Sequence, residues 1–341
     1  MKRITLIIIS IVACIVVSSC DTRRTIYPES GVWVIVDLDW SNLESNPNGA
    51  TVAFYPQTRA ELTPSYLYTN YQRDSIYLTK DIYYVVAMNE TTSSHTNLTF
   101  SNKGVFDSFV ANIDNVSVTP STDSGSITVG GEPDILTIEQ LLDLEITRES
   151  VIENTRYYID FTPKQVTKNL QVTLYLDGIS NLGSGTNSVV IDGMSKGVML
   201  GNSEYSSEQT SHYIAFTNGS VDENGEVGYL RGDVNCFGEA DGATNTVKIR
   251  LSLRDGSTYE LDYDATGKIY VDEDNELQLY LDIYDEVGIP GGGEDEEDET
   301  DKPGITVPEV DDNEDDTDGN SGFGANVDDW GDVENVPVTA K

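Results

Sequence analysis

The sequence of 341 residues predicts an all-β fold with two antiparallel β-sandwich domains in tandem. Short runs of β-branched and aromatic residues follow one another along most of the chain. Gly, Asn and Asp residues typical of turns separate these runs, and only one stretch shows helical spacing. Many short strands with frequent turns are typical of sandwiches, in which each sheet buries one face against the other.

The first block of strand-like sequence predicts an N-terminal sandwich over residues 31–150. Its clearest runs are GVWVIVDLDW (31–40), GATVAFYPQ (49–57) and SIYLTKDIYYVVAMNE (75–90). They alternate, or they are continuously rich in β-branched and aromatic residues, as strands are. The exception is EPDILTIEQLLDLEIT (132–147), whose apolar residues lie near helical spacing and predict one short helix.

The second block predicts a C-terminal sandwich over residues 151–288. It begins with TRYYIDFTPKQVTKNLQVTLYLDGIS (155–180) and ends with ELQLYLDIYDEV (276–287). Asn218-Gly219 and Asp255-Gly256 lie between strand-like runs, as the turns of β-hairpins do.

The N-terminus is typical of a secreted lipoprotein. Lys2 and Arg3 precede an apolar run at 4–17 that is short for a membrane span, which predicts a signal peptide over 1–19. The sequence VSSC (17–20) resembles a bacterial lipobox, so we expect lipidation of Cys20. Residues 20–30 then form a lipidated linker, and the acyl chains are the expected membrane contact.

The charge excludes one class of function. The formal net charge is −39 at pH 7, and such a surface repels nucleic acid, so no nucleic-acid partner is expected. Much of the acidity lies in residues 289–320, which predict a disordered acidic linker.

The last segment, residues 321–341, becomes apolar again after the acidic linker. Apolar side chains serve no purpose in a disordered tail, so their presence predicts a segment that binds another surface. It either folds back as a strand on the C-terminal sandwich or enters a partner's sheet by β-augmentation. The predicted partner-binding residues are Phe323, Val327, Trp330, Val333 and Val336.

The stretch VVIDGMSKGVML (189–200) contains the Gly-x-Ser-x-Gly pattern of serine hydrolases, with Ser195 at its centre. A nucleophile elbow needs a strand-to-helix turn, followed along the chain by an acid and a histidine. His212 is the one histidine after Ser195, and both flanks of the motif are strand-like. The motif therefore predicts a tight connection within a sheet, and no catalytic residue or cofactor is expected.

Metal binding is not predicted. Two histidines and three cysteines do not provide standard zinc spacing. Glu314, Asp316 and Asp318 resemble the start of an EF-hand loop and are the alternative calcium ligands, but Ala325 stands where a bidentate Glu belongs.

Three further features have ordinary structural interpretations. Cys236, the cysteine left after the signal peptide and the lipidated residue, has no disulfide partner and predicts a small buried hydrophobe. Arg231-Gly232-Asp233 predicts a turn rather than a receptor motif. The clustered tyrosines predict residues that face or flank the core, with a sugar-binding platform as the alternative: Tyr66, Tyr68, Tyr71, Tyr77, Tyr83 and Tyr84.

Several of these runs resemble the fimbrillin and fimbrial-anchor lipoproteins of Bacteroidales. They include VWVIVDLDW, GATVAFYP and IYLTKDIYYVVAMNE in the first block, and YYIDFTPKQVTKNLQVTLYLDGISN and VVIDGMSKGVML in the second. The terminal NVDDWGDVENVPV resembles the C-termini of that family. The resemblance implies transthyretin-like sandwiches and a role in attaching or assembling surface fimbriae.

Two functional hypotheses follow. The first is a non-enzymatic outer-membrane lipoprotein that binds a fimbrial subunit by strand pairing, on either the surface or the periplasmic face. The alternative is a surface lipoprotein that binds glycans with its tyrosines, with or without the help of calcium.

Overall fold

The computed structural model describes residues 31–285, except 44, 60, 61, 121–124 and 223, together with residues 304–310. The regular secondary structure in this part of the chain is almost entirely strand, which confirms the all-β prediction. No helix in it is long and apolar enough to cross a membrane. The first ten strands are β1 (Gly31–Leu38), β2 (Ala50–Pro56), β3 (Ser65–Thr69), β4 (Arg73–Thr79), β5 (Asp81–Asn89), β6 (Leu98–Ser101), β7 (Val110–Ile113), β8 (Asn115–Val118), β9 (Ile127–Gly130) and β10 (Thr137–Ile146).

A short helix, α1 (Arg148–Glu153), separates these strands from the rest, and two 3-10 helices lie at Phe106–Ser108 and Ile179–Asn181. The remaining strands are β11 (Tyr157–Phe161), β12 (Lys164–Gln165), β13 (Lys168–Asp177), β14 (Ser188–Ser195), β15 (Gly197–Met199), β16 (Gln209–Ala215), β17 (Asn218–Val221), β18 (Val227–Cys236), β19 (Thr246–Ser252), β20 (Thr258–Asp264), β21 (Tyr270–Asp272), β22 (Asn275–Ile283) and β23 (Ile305–Thr306).

The N-terminal sandwich consists of a sheet of order β11-β1-β4 and a sheet of order β12-β10-β5-β2-β3. Their facing side chains form one core, which includes Val34, Phe54, Val85 and Phe161.

A third sheet, of order β15-β7-β6, covers the other face of the second sheet. Alternate residues of β2 and β5, such as Tyr55 and Met88, pack there against Phe109 and Val198. Both faces of β2 and β5 are thus buried, which explains why their sequences are continuously apolar.

The C-terminal sandwich has one sheet of order β17-β18-β13-β22-β21 and another of order β20-β19-β14-β16-β9-β8. Its core is aliphatic and includes Leu170, Val189, Ile249 and Leu281. Most pairings are antiparallel as predicted, but β1–β11, β13–β22, β13–β23 and β9–β16 are parallel.

Strand pairing crosses the predicted boundary at residue 150 in both directions. β11 pairs with β1, so the N-terminal sandwich takes a strand from beyond that boundary. β8 and β9 extend the C-terminal sandwich, and β15 pairs with β7. Strand pairing therefore crosses the predicted division at residue 150, and the sequence could not indicate this because parallel pairing of distant strands leaves no local mark in a sequence.

The helix predicted over 132–147 is wrong, because residues 137–146 form β10. A β-bulge produced the helical spacing: Leu141 pairs with Val85 and Leu144 with Tyr83, so three residues of β10 match two of β5. Asp143 takes a positive φ of 61° in this bulge. The helix begins later, after Thr147, whose side chain accepts a hydrogen bond from the Ser150 amide.

Residues 304–310 correct the prediction that all of 289–320 is a disordered linker. β23 pairs in parallel with the end of β13, with Ile305 opposite Leu176. Val307 is 2% exposed, and its amide donates to the Asp177 carbonyl over 2.7 Å. Apolar residues within an acidic sequence thus complete a sheet, whereas the rest of 289–320 lies outside the described residues.

Candidate partner-binding edge

Most of the predicted functional residues lie outside the described residues, and their roles remain predictions. They are the lipidation residue, the C-terminal apolar set and the acidic calcium candidates: Cys20, Phe323, Val327, Trp330, Val333, Val336, Glu314, Asp316 and Asp318.

The Gly-x-Ser-x-Gly motif lies within and just after β14. Ser195 is fully buried, and its hydroxyl lies 2.9 Å from the carbonyl oxygens of both Gly197 and Ser206. Gly193 has a φ of +81°, and a Cβ atom there would lie 2.5 Å from the Thr244 carbonyl oxygen. The glycine serves a bend in the sheet, and the buried serine has the environment of a structural hydroxyl.

His212 does not form a catalytic pair with Ser195. It lies on the neighbouring strand β16, but the register places it opposite Ile191, while Ser195 faces Gln209. Three residues of strand separate the two positions, about 10 Å along the ladder. Both ring nitrogens lack a hydrogen-bond partner among the described residues, and burial lowers the pKa of His212 to about 4.

Cys236 is fully buried, and burial raises the pKa of its thiol to about 12, so it is a hydrophobe rather than a nucleophile. Among the described residues, no group of three or more His, Cys, Asp or Glu side chains is placed to hold a metal ion.

The turn predicted at Arg231-Gly232-Asp233 is wrong, since these residues lie inside β18 and pair with β13. The Arg231 guanidinium lies 4.8 Å from the ring centroid of Tyr229. A Cβ atom at Gly232 would lie 2.7 Å from Ile214, so the glycine is required for packing.

The tyrosines do not form one platform. Tyr83 is buried, whereas Tyr68, Tyr71 and Tyr77 are exposed. Tyr68 stacks on Tyr66 within β3, and Tyr77 lies in the other sheet of the sandwich.

The feature best suited to a partner is the edge strand β20. It pairs along its whole length with β19, and no described strand pairs with its other edge. Tyr259, Leu261 and Tyr263 are half-buried against the core, whereas the alternate residues, such as Glu260 and Asp262, are exposed. Exposed acids on an edge strand are typical protection against uncontrolled pairing.

A groove of about 490 Å³ runs beside β20. Its far wall contains Tyr284, Ile305 and Thr306, where β22 has ended and β23 has begun. Both β22 and β23 pair with β13. The strand position beside β13 is therefore interrupted at the groove, between the end of β22 and the start of β23. An extended segment lying here would meet the backbone of β20 and a partly apolar floor. The alternation of TYELDYD (258–264) is the one sequence signal for this edge, and it does not reveal which side is unpaired.

Comparison with protein families identifies this chain by its N-terminal part. The family described as Domain of unknown function (DUF5119) matches residues 19–215, more than half of the chain. The chain belongs to the DUF5119 family. No curated protein sequence matches it.

Among solved structures, this DUF5119 protein is similar to a Bacteroides ovatus protein described as a "putative adhesin". The two share 16% sequence identity and a TM-score of 0.56, and the match covers 76% of this chain and 96% of the other. The fimbrial anchor protein Mfa2 from Porphyromonas gingivalis matches at 11% identity and a TM-score of 0.46, over 74% and 90% of the two chains. The resemblance predicted from the strand runs is confirmed at the level of the fold.

Proposed function

We propose that this DUF5119 protein is a non-enzymatic cell-envelope lipoprotein that anchors, assembles or extends fimbriae and binds a fimbrial subunit by strand pairing at β20. The unpaired edge of β20, beside a partly apolar groove, is the observation that carries the proposal. The names of the structural neighbours, an adhesin and a fimbrial anchor, are consistent with this role.

The edge also defines the partner. Glu260 and Asp262 project outward from β20, while Leu261 is directed toward the core. A fitting segment would alternate, with apolar side chains above the groove and Lys, Arg or Thr opposite the acids.

Membrane attachment through Cys20 belongs to the same proposal. Ten residues separate Cys20 from Gly31, where β1 begins. A linker of this length reaches at most about 36 Å when fully extended, so lipid chains at Cys20 would hold the sandwiches close to the membrane. The outer membrane is the proposed location, and the segment 321–341 is proposed as a second partner-binding element.

The absence of catalysis is proposed from the three groups that a hydrolase or thiol enzyme would use. Ser195 lies against two carbonyl oxygens, His212 is buried away from it, and Cys236 is buried with a raised pKa. None of the three has the exposure or the neighbours that an activated nucleophile requires.

Hydrogen exchange with a co-expressed fimbrillin subunit tests the proposal. Amides of residues 258–264 should become protected in the complex, and Leu261→Arg, which places a charge in the groove, should abolish both protection and co-purification. Leu142→Arg is the control, because Leu142 is an exposed strand residue of the N-terminal sandwich. Protection elsewhere, with β20 unchanged, would exclude this edge as the binding site.

A further inference from the structure

A second concave site lies where the two sandwiches meet. It is a cleft of about 980 Å³, within the size range of ligand-binding pockets. One wall is formed by residues 42, 43 and 45–48, a second includes Glu90 and Asp134, and the floor is the start of β13 with its neighbours β18 and β22. None of the residues that line the groove beside β20 lines this cleft.

The chemistry of the lining is unusual for a protein with this charge. Nine of its 18 residues are Asn or Gln, and none is Lys or Arg. Glu90 and Asp134 are its carboxylates, and both accept hydrogen bonds from backbone amides, of Asn48 and Thr96 respectively. The cleft therefore presents neutral groups that both donate and accept hydrogen bonds.

The floor is an ordered row of three amides on adjacent strands. Asn169 lies between Asn235 and Gln278 in the register of the sheet. Its side chain accepts a hydrogen bond from Gln278 Nε2 at 3.1 Å and donates one to Asp233 at 3.1 Å. Asn235 Nδ2 and Gln278 Oε1 have no partner among the described residues. The row thus ends in a free donor on one side and a free acceptor on the other.

The opposite wall is exposed and rich in the same groups. The side chains of Asn42, Asn46 and Asn48 have no hydrogen-bond partner among the described residues. Their loop is nevertheless held in place, because the Asn48 amide donates to Glu90 over 2.6 Å and Leu43 packs against the N-terminal core.

Contacts between the sandwiches fix the two walls relative to each other. Glu132 accepts a hydrogen bond from the Asn235 amide at 3.2 Å, across 103 residues of chain. Phe237, just beyond β18, is buried in the core of the third sheet. The cleft is therefore preorganised, which lowers the entropy cost of binding.

We propose that this cleft binds a neutral glycan. The exposed loop amides and the ends of the amide row offer both donors and acceptors, which suits sugar hydroxyls that also donate and accept. With no Lys or Arg in the lining and two carboxylates among its residues, the cleft disfavours sialylated, sulfated or phosphorylated ligands.

An extended peptide fits this cleft less well than a sugar does. β13 is paired on both sides at the floor of the cleft, and at the end of β18, beyond its pairing with β17, the Asn235 backbone amide already donates to Glu132. Side chains therefore provide most of the groups for recognition, whereas strand addition to a sheet needs a free backbone edge. This site is independent of β20, and loss of glycan binding leaves strand pairing intact.

Saturation-transfer NMR on the full chain tests the proposal, because a cleft with no Tyr, Trp or Phe in its lining should bind weakly. The probes are neutral hexose and N-acetylhexosamine oligosaccharides, with sialylated and sulfated oligosaccharides for comparison. We expect binding of a neutral probe that changes little with salt. Asn235→Ala with Gln278→Ala, and separately Asn46→Ala, should each weaken it about tenfold or more.

Matched controls are Asn224→Ala and Gln72→Ala, since both residues are exposed outside the cleft and these variants should bind like the wild type. Thermal unfolding verifies that every variant is folded. The proposal is overturned if no neutral probe binds, if binding is confined to anionic sugars or to extended peptides, or if the cleft variants bind as well as the controls.

Discussion

The two sides of the C-terminal sandwich end differently. Beside β13, the strand position that β22 vacates after Ile283 is taken up by β23, and Ile305 and Val307 are buried there. In the other sheet, β20 is the edge strand, with no described strand beyond it. Its inward residues, such as Leu261, are only half-buried. One side is closed by the chain itself, whereas on the other side no strand among the described residues pairs with the outer edge of β20.

The difference between β23 and β20 shows that the role of an alternating segment depends on whether a neighbouring strand and a core receive it. Both segments carry alternating apolar residues within an acidic sequence. At β23 the alternation is used for internal packing, because a neighbouring strand and a core receive it. At β20 no described strand pairs with the outer edge, and exposed acids of the kind that protect edge strands against uncontrolled pairing lie beside the proposed partner site.

The largest expected effect comes from placing a carboxylate on each side of the C-terminal sandwich, at Val307 beside β13 and at Leu261 in β20. Val307→Asp should lower the free energy of unfolding by about 4 kcal/mol, because it buries an unpaired carboxylate. Leu261→Asp should lower it by only about 1 kcal/mol, because the side chain can reach water at the open edge. Urea denaturation of the two variants measures both values, and equal losses would mean that β20 is as enclosed as β23.

The core face of the sheet that contains β20 is expected to be tightly packed, and the pKa of the buried His212 in that sheet reports on this packing. Its pKa is lowered by burial from 6.5 to about 4, so the unfolded state binds a proton first as the pH falls. Stability should therefore decrease between about pH 6.5 and pH 4, by up to about 3 kcal/mol from this residue.

His212→Leu should remove that part of the pH dependence and raise stability most at the acidic end of the range. Unfolding curves of wild type and variant at pH 7 and pH 4.5 compare the two. A parallel pH dependence would show that the imidazole is solvated and the sheet interior is open.

Substitutions at two glycines distinguish the cost of a steric clash from the cost of an unfavourable backbone conformation. A Cβ atom at Gly304 would lie 2.3 Å from the Leu176 carbonyl carbon, so Gly304→Ala should cost about 2 kcal/mol as β23 is displaced. Gly256, in the turn before β20, has a φ of +82° and open space around it, so Gly256→Ala should cost about 1 kcal/mol through backbone strain alone. Thermal unfolding provides the test, and a tolerated Gly304→Ala would contradict the close approach of β23 to β13.

The smallest effect is expected at the acids of the open edge. Glu260 pairs with Arg250 at 2.7 Å but is largely exposed. Glu260→Gln should change the free energy of unfolding by less than about 0.5 kcal/mol, because exposed ion pairs contribute little. A larger loss in urea denaturation would give the acid a structural role instead of one in protecting the edge.

The sequence predicts local features of this fold well and non-local ones poorly. Alternation in β1 and β13 and the strand-like flanks of Ser195 identify an all-β chain without a nucleophile elbow. The bulge at Asp143 is different, because a partner strand is needed to tell three residues opposite two from a helical turn. β23 was hidden because only its place beside β13 distinguishes it from a solvated acidic linker.

The candidate sites were even less visible in the sequence. The amide cleft gathers Asn46, Asn169, Asn235 and Gln278 from separate segments, none of which has a recognisable spacing. The open edge of β20 depends on which strands are absent beside it among the described residues, and that is a property of topology.

Crosslinking at the open edge tests the central claim most directly. In Glu260→Cys, the new thiol is exposed on β20, while Cys236 is fully buried with its pKa raised to about 12 and should not react. We predict that a short bifunctional reagent links position 260 to a fimbrial subunit in cells and that Asn224→Cys gives no such product. Equal yields from the two positions, or no fimbrial subunit captured at 260, would contradict strand pairing at β20.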